Sequence, residues 1–313
     1  MIVRDTENNW HLNPIDVATL VAVGSLAMLT ALVRRQLGQN AVWLAGIFMT
    51  LVVANLLFAR FAPRARWIRI AHDFFPIVVI IVVFSSISPL IDVVRPDRWD
   101  GYFSQVDSAY FPGLVAVWRE AFGRPDWFTD LIYLAYVSYY PMPFALAVIL
   151  YGPSYPREQF DEFAFIIALT FFGSYLGYFL FPTYGPRLPL DQEARVLGGG
   201  TISEGIRAFI HVAERTKMDA FPSGHTAVAV VCLRYARWCG RVVTGIYVVL
   251  ATGVVLATVY LYYHYATDVL AGACLAALCL TMGPRIMPWT EATTWQRFGQ
   301  EIAMRWRALS PKP

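Results

Sequence analysis

The chain has 313 residues, of which 57% are hydrophobic and only 15% are charged. Soluble domains usually carry about 25% charged residues, so this composition excludes an ordinary soluble domain and indicates an integral membrane protein. The net charge of +3, without any basic run that contains interleaved aromatic residues, excludes a nucleic-acid-binding surface. We therefore expect an all-α, polytopic membrane helical bundle with no nucleic-acid partner.

Apolar runs recur along the chain, and a helix needs about 20 apolar residues to cross a bilayer. The sequence predicts about eight transmembrane helices, or six or seven if the first two runs are interpreted differently. The first run is expected to be a retained span, because no cleavage site of a signal peptide follows it. The predicted spans lie near residues 15–33, 41–60, 70–94, 128–151, 160–182, 222–238, 242–263 and 266–284.

Two longer loops, at residues 95–127 and 183–221, interrupt this pattern. The first loop contains Leu114–Trp118, which is typical of an amphipathic helix lying at the membrane interface. The second loop is rich in arginine and is predicted to contain a helix near residues 203–216.

The basic residues predict the orientation of the chain in the membrane. Those in the shorter loops favour the side of the N-terminus, so this side and the C-terminus are expected to be cytoplasmic. The second long loop, His225 and His264 then lie together on the non-cytoplasmic face.

The sixth predicted span opens on the segment Phe221–Thr226, which reads Phe-Pro-Ser-Gly-His-Thr. Ionisable groups near a membrane core are expensive to keep, so we interpret its histidine, His225, as functional. Helix N-termini attract phosphate through unpaired N–H groups, which makes Ser223 and Gly224 candidate phosphate-binding residues. The histidine beside them can act as a general acid toward a departing oxygen.

A second histidine segment separates the last two predicted spans. His264 and Asp268 have i, i+4 spacing, and they would share one face if the segment were helical. A carboxylate bound to one ring nitrogen fixes the tautomer and leaves the other nitrogen free to attack. His264 would then attack phosphorus while His225 protonates the leaving group. Taken singly, each histidine is more often structural and Asp268 fits a helix cap, but their combination on one face favours catalysis.

Phosphate binding also requires cations. The stiff turn Phe181–Arg187 supplies Arg187, whose planar fork can hold two phosphate oxygens, and Tyr184 as a further candidate. Lys217 is a second candidate cation. The alternatives are an interfacial anchor for Arg187 and a solvated loop residue for Lys217, and Asp219 nearby receives no role.

The four cysteines lie in or beside apolar runs without CxxC spacing. They are interpreted as small buried hydrophobic residues. We expect no disulfide, no metal site and no cofactor.

The segments 221–225 and 264–272, Phe-Pro-Ser-Gly-His and His-Tyr-Ala-Thr-Asp-Val-Leu-Ala-Gly, resemble the last two motifs of the phosphatidic acid phosphatase type 2 superfamily. The resemblance implies that His264 is the nucleophile that forms a phosphohistidine, that Asp268 orients it, and that His225 is the general acid. It also implies a six-helix core, a metal-independent mechanism and a phospholipid or lipid phosphate substrate.

On this resemblance the chain divides into three parts. Residues 1–66 are expected to form N-terminal transmembrane helices, residues 67–290 the catalytic core, and residues 291–313 a cytoplasmic tail.

The chain also departs from the usual family pattern. Lys-x6-Arg-Pro is missing, and Ala257-Thr258 stands where Ser-Arg usually precedes the last histidine. With these departures and the Arg187 motif, the chain is similar to the inositol phosphorylceramide synthase and sphingomyelin synthase branch. Enzymes of that branch pass a phosphate-containing head group to a lipid alcohol. Ser-Gly-His is instead the phosphatase-like form.

The function is therefore predicted to be head-group transfer through a phosphohistidine. The alternative is a phosphatase that uses water to cleave a lipid phosphate or polyprenyl diphosphate. A transporter or a non-catalytic membrane protein is a second alternative, although no internal repeat of the transporter kind is visible.

Overall fold

The computed structural model describes residues 12–123, 125–187, 190–214 and 216–290, and within these ranges it is helical and contains no strand. The predicted all-α bundle is confirmed. The described residues also contain three short 3-10 helices, at Ala62–Arg64, Arg237–Cys239 and Met287–Thr290. The α-helices are α1 (Pro14–Leu32), α2 (Arg34–Leu37), α3 (Gln39–Phe61), α4 (Arg66–Ser86), α5 (Ser88–Val94), α6 (Asp100–Tyr110), α7 (Leu114–Phe122), α8 (Asp126–Val137), α9 (Pro141–Leu150), α10 (Arg157–Leu180), α11 (Leu190–Leu197), α12 (Thr201–Ala213), α13 (Gly224–Ala236), α14 (Arg241–Tyr260) and α15 (Ala266–Ile286).

Six helices in the described ranges are long and apolar enough to cross a membrane: α1, α3, α4, α10, α14 and α15. The pair α8 and α9 gives a seventh span if it is counted as one, with a bend of 50° between its halves. The protein is therefore an integral, multi-pass membrane protein.

The predicted span near residues 222–238 takes a different form. It folds as α13, which has 13 residues. At 1.5 Å per residue this helix is about 20 Å long, less than the ~30 Å thickness of the hydrocarbon core. Residues 1–11 and the predicted tail at 291–313 lie outside the described residues, and the proposed division into three parts stays a prediction.

The N-terminal helices pack against the rest of the bundle through polar contacts as well as apolar ones. Buried Asp16 on α1 lies 2.8 Å from the Nε2 atom of His72 on α4, and Asn55 on α3 donates to the backbone of Asp16. Since an isolated buried charge is costly, this pairing fixes how α1, α3 and α4 meet.

The short helix α13 lies at the centre of the bundle. It packs against α9, α10, α14 and α15, and Val228, Val231 and Cys232 along it are fully buried. A helix that is apolar on all sides is stable only when other elements surround it. The central position of α13 carries His225, in its first turn, into the interior of the protein.

Candidate active site

His225 and His264 meet although they are 39 residues apart. His225 is the second residue of α13, and His264 lies in the turn between α14 and α15, where its backbone N–H donates to the carbonyl of Thr258. The Nε2 atom of His264 lies 3.2 Å from the Nδ1 atom of His225. Both rings are buried, with 2% and 8% of the residue exposed.

The contacts of His264 determine which of its nitrogens carries the proton. Its Nδ1 atom lies 2.8 Å from the carbonyl oxygen of Ala220, and a carbonyl oxygen can only accept. The proton of a neutral ring is therefore on Nδ1, and Nε2 bears the lone pair. His225 then donates from Nδ1 to this lone pair, and its own Nε2 has no hydrogen-bond partner among the described residues.

Asp268 lies close to His264, but the two residues are not on one helix as the i, i+4 spacing suggested. His264 precedes α15 and Asp268 lies in its first turn, so the two residues do not share a helix face. The Oδ2 atom of Asp268 is still 3.5 Å from Nδ1 of His264, and it accepts a hydrogen bond from the N–H of Tyr265 at 2.9 Å. The negative charge thus lies beside the imidazole, while the short hydrogen bond to Nδ1 comes from the backbone of Ala220.

The Ser-Gly pair before His225 has a clear structural role. The hydroxyl of Ser223 accepts from the N–H of Thr226 and caps α13, a contact that satisfies one of the unpaired N–H groups of a helix N-terminus. The N–H of Ser223 donates to the carbonyl of Asp268 at 3.0 Å. Ser223 and Gly224 are both buried directly beside the two histidines, and a phosphate contact for either of them stays a prediction.

Arg187 lies at the site and contacts two carboxylates. Its guanidinium forms an ion pair with Asp219, lies 3.4 Å from Glu214, and sits over the ring of Tyr263. Burial opposes the charge of Arg187, but the two carboxylates outweigh it and raise its pKa. Burial also raises the pKa of Asp219, against the effect of Arg187. A phosphate that binds Arg187 must therefore share it with these acids.

Glu214 and two tyrosines form a group that sequence reasoning missed. The Oε1 atom of Glu214 accepts hydrogen bonds from Tyr136 at 2.8 Å and from Tyr140 at 3.1 Å. Tyr136 also stacks between His225 and Tyr263, with ring centroids 4.7 and 4.6 Å away. The tyrosines come from the bent pair α8–α9, and the acid follows α12, more than 70 residues later. No local sequence signal links them.

The remaining predicted phosphate ligands lie farther out. Tyr184 is 43% exposed and its ring lies under the guanidinium of Arg98, 5.6 Å away. Lys217 is half-buried in the segment that leads to Asp219. The structure thus brings together the two histidines, Asp268 and Arg187, and it leaves Tyr184 at the rim.

A cavity of about 350 Å³ lies against His225. Its walls are mostly apolar side chains of α4, α9, α10 and α12, with Glu214 and Asp219 beside His225 and Asp73 near the start of α4. Along α4 it runs from residue 73 to residue 85, which is about 18 Å at 1.5 Å per residue. Exposed side chains of its wall include Ile81 and Phe144, so the cavity opens sideways toward the apolar surface of the bundle.

Comparison with known proteins identifies the family. The family model of the PAP2 superfamily matches residues 102–282, from α6 to α15, and includes both histidines. The chain belongs to the PAP2 superfamily. A PA-phosphatase related-family protein of Dictyostelium discoideum is 26% identical over 179 residues, which are 50% of this chain and 32% of that protein. No solved structure matches the chain significantly.

Membership in the PAP2 superfamily supports an enzyme of the lipid phosphatase or phosphotransferase type. The chain spans about a third of the length of the Dictyostelium relative. Neither match distinguishes the inositol phosphorylceramide synthase and sphingomyelin synthase branch from the phosphatases, so that prediction is carried forward as a proposal.

Proposed function

We propose that the protein is a membrane-embedded lipid phosphotransferase that works through a phosphohistidine on His264. The observation that carries this proposal is the buried pair of histidines, in which the backbone of Ala220 directs the lone pair of His264 to Nε2. When an imidazole ring is held in one tautomer beside a carboxylate, its unprotonated nitrogen is ready to act as a nucleophile. Asp268 would stabilise the positive charge that develops on the ring as it attacks.

The first step forms a nitrogen–phosphorus bond and breaks the bond from phosphorus to the lipid alcohol of the donor. We propose that His225 is protonated on both nitrogens once the anionic phosphate of the donor lies beside it, and that it then gives a proton to the departing oxygen. In the second step the hydroxyl of an acceptor returns a proton to His225 and attacks phosphorus, which releases His264.

Substrate binding must separate the two rings. The Nε2 atom of His264 is 3.2 Å from His225, and an attacked phosphorus has to approach Nε2 within about 3–3.5 Å. The phosphorus therefore takes the place that Nδ1 of His225 now holds. We propose that His225 turns toward the cavity. In the present structure its Nε2 atom has no hydrogen-bond partner in the described part of the chain.

The cavity supports a substrate carried on a lipid. Its apolar walls run beside His225 for about 18 Å and open sideways, which suits an acyl chain that enters from the bilayer. The depth of the histidines also supports a lipid alcohol, rather than water, as acceptor, since a dry site limits hydrolysis of a reactive intermediate. Arg187, Ser223, Gly224 and Lys217 are the proposed phosphate ligands, with Tyr184 at the rim.

The proposed orientation places this chemistry at the non-cytoplasmic face and the C-terminus in the cytoplasm. It rests on the distribution of basic residues. Cysteine-labelling of the loop that carries Tyr184, with a membrane-impermeant reagent on intact cells, tests it.

The activity is tested with purified protein in lipid nanodiscs. Phospholipids labelled at the phosphate, with ethanolamine, inositol or glycerol head groups, are supplied with and without ceramide or a diacylglycerol whose acyl chains differ in length from those of the donor. We expect a new labelled lipid that depends on the added alcohol. Free labelled phospho-head group in every reaction, without any new lipid, would establish hydrolysis and overturn transfer.

The histidines are tested in the same assay. His264→Ala and His225→Ala should each lower turnover by at least about 10³-fold, because each removes a group that makes or breaks a bond at phosphorus. The matched control is His211→Ala on the exposed face of α12, which should keep normal turnover. Normal rates in either active-site variant would end this mechanism.

A further inference from the structure

The surface helix α6 contacts each of the three segments from which the site is built. The backbone of Trp99, just before it, donates to Pro182 in the Arg187 turn. We infer that α6 positions the active site, and that the carboxylates of Asp100 and Asp107 are its positioning residues. This inference rests on the proposed role of His264.

Asp107 holds the turn that carries His264. Its Oδ2 atom accepts from the N–H of Ala266 at 2.7 Å, and its Oδ1 atom accepts from the N–H of Thr267 at 3.0 Å and from the Thr267 hydroxyl. These two amides belong to the first turn of α15 and have no partner within the helix. A carboxylate at a helix N-terminus is also favoured by the helix dipole. Asp107 therefore fixes the start of α15, two residues after His264.

Asp100 holds the turn that carries Arg187. Its two oxygens accept from the N–H groups of Tyr184 and Gly185, at 3.2 and 3.0 Å. Gly185 has a φ of +80° and is so close to Tyr263 that a Cβ atom would lie 2.4 Å from the Tyr263 carbonyl. The turn held by Asp100 is thus packed directly against the residue before His264.

Phe103, between the two acids, contacts the third segment. It is buried, and its ring stacks on Phe221 with centroids 4.3 Å apart. Phe221 follows Ala220, whose carbonyl oxygen accepts the Nδ1 proton of His264. The backbone of Ala220 is itself held by a hydrogen bond to the carbonyl of Thr183. The aromatic contact therefore supports the group that sets the tautomer of the nucleophile.

One rigid element thus sets the distances among three loops. Asp100 and Asp107 are seven residues apart, which is about two turns or 10 Å along one helix face. Because all three contacts come from this helix, a shift at either acid moves a loop of the site without touching a proposed catalytic residue. A misplacement of about 1 Å can lower a rate by about 10²-fold.

The test is a kinetic comparison of Asp107→Asn with Asp97→Asn in full-length protein, using the labelled donor assay. An asparagine has one acceptor oxygen in place of two, so it cannot hold both amides of α15. We expect Asp107→Asn to lower kcat by about 10–100-fold while KM changes by less than about threefold, since positioning acts on the reacting atoms after binding. Asp97, exposed just before α6, should keep normal values of both.

A milder variant covers the case in which Asp107→Asn does not fold. Thr267→Val keeps the shape of the side chain and removes only the hydroxyl donated to Asp107, so we expect kcat to fall by about 3–10-fold. If both variants fold, their effects should be strongly non-additive because they remove parts of one contact.

Two results would overturn the inference. The first is an unchanged kcat in Asp107→Asn or, where this does not fold, in Thr267→Val. The second is a loss that disappears when rates are normalised to folded protein. The histidine variants separate this failure from a failure of the proposed function: activity in His264→Ala refutes the mechanism, whereas an inactive His264→Ala beside a normal Asp107→Asn refutes only the role of α6.

Discussion

In the proposed mechanism, a backbone carbonyl and a carboxylate on the same side of the ring prepare the Nε2 atom of His264 as the nucleophile. Ala220 accepts the Nδ1 proton at 2.8 Å, and Asp268 places its charge 3.5 Å from the same atom. The sequence predicted catalytic roles for both histidines and Asp268, because they stand in two short motifs, and these roles stay predictions. It did not identify Ala220, since a backbone oxygen carries no residue signature.

Because Ala220 and Asp268 have separate roles, we predict that Asp268→Asn has a moderate effect on kcat. Asparagine keeps the shape and can still accept from Tyr265, but it removes the charge that stabilises a phosphorylated imidazole. Since Ala220 still holds the tautomer, we expect kcat to fall by about 10–100-fold, less than the ~10⁴-fold seen when an aspartate alone fixes a catalytic histidine. Steady-state kinetics in nanodiscs measures it. A loss as large as that of His264→Ala would show that Asp268, and not Ala220, fixes the ring.

The acids around Arg187 show why sequence alone could not describe the proposed phosphate site. Glu214 and Asp219 pair with Arg187 in space but carry no motif, and the contacts of Glu214 to Tyr136 and Tyr140 join residues more than 70 positions apart. Local patterns report neighbours along a helix, whereas these contacts depend on how the helices pack.

At the scale of elements, the site depends on the crossing of α13 and α15. A Cβ atom at Gly272 would lie 2.3 Å from the carbonyl oxygen of Ser223. The backbones of the two helices therefore come into direct contact at this glycine. The segment 264–272 ends on this glycine, and its contact partner is the residue that caps α13. Close packing of this kind leaves no room for a methyl group.

Gly272→Ala should therefore separate the two histidines. We expect turnover to fall by at least about 100-fold, because the rings move by a fraction of an ångström or more, and stability to fall by about 1–3 kcal/mol from overpacking. The matched control is Gly245→Ala on α14, where a Cβ atom would meet nothing within 4 Å. Normal turnover in Gly272→Ala would contradict the packing described for this crossing.

The elements themselves were only partly predictable. The long apolar runs gave α1, α3, α4, α10, α14 and α15 because length and hydropathy are local properties. The bend of 50° between α8 and α9 was not foreseen. The run at 222–238 was predicted as a short span, and its helix α13 is shorter still, with 13 residues. Four other helices enclose α13, so it does not need to span the bilayer by itself.

At the scale of the whole molecule, the buried histidines and the apolar cavity form one continuous arrangement. The cavity begins beside His225 and extends toward Asp73, with an opening between α4 and α9. In the proposed mechanism this geometry connects the reacting atoms to the lipid phase. It could not be derived from the sequence because most of the cavity wall comes from four separate helices.

Filling the far end of the cavity should discriminate between lipids by chain length. Ala164 on α10 lines the cavity near Asp73. We expect Ala164→Phe to raise KM by about tenfold for a dipalmitoyl phospholipid, since lost burial of each methylene costs about 0.8 kcal/mol, and to leave a dihexanoyl probe within about twofold. Ala277→Phe on the exposed face of α15 is the control. Equal effects of Ala164→Phe on both probes would show that the cavity does not hold the acyl chain.

In the proposed mechanism, phosphorus becomes bonded to His264. The most direct test is to mix the protein with phosphate-labelled phospholipid, quench within milliseconds at alkaline pH, where phosphohistidine is expected to survive, and map the label by mass spectrometry. We predict a phosphorus-containing adduct on His264 that vanishes in His264→Ala and decays when a lipid alcohol is added. Label on another residue, or the same adduct yield in His264→Ala, would contradict the mechanism.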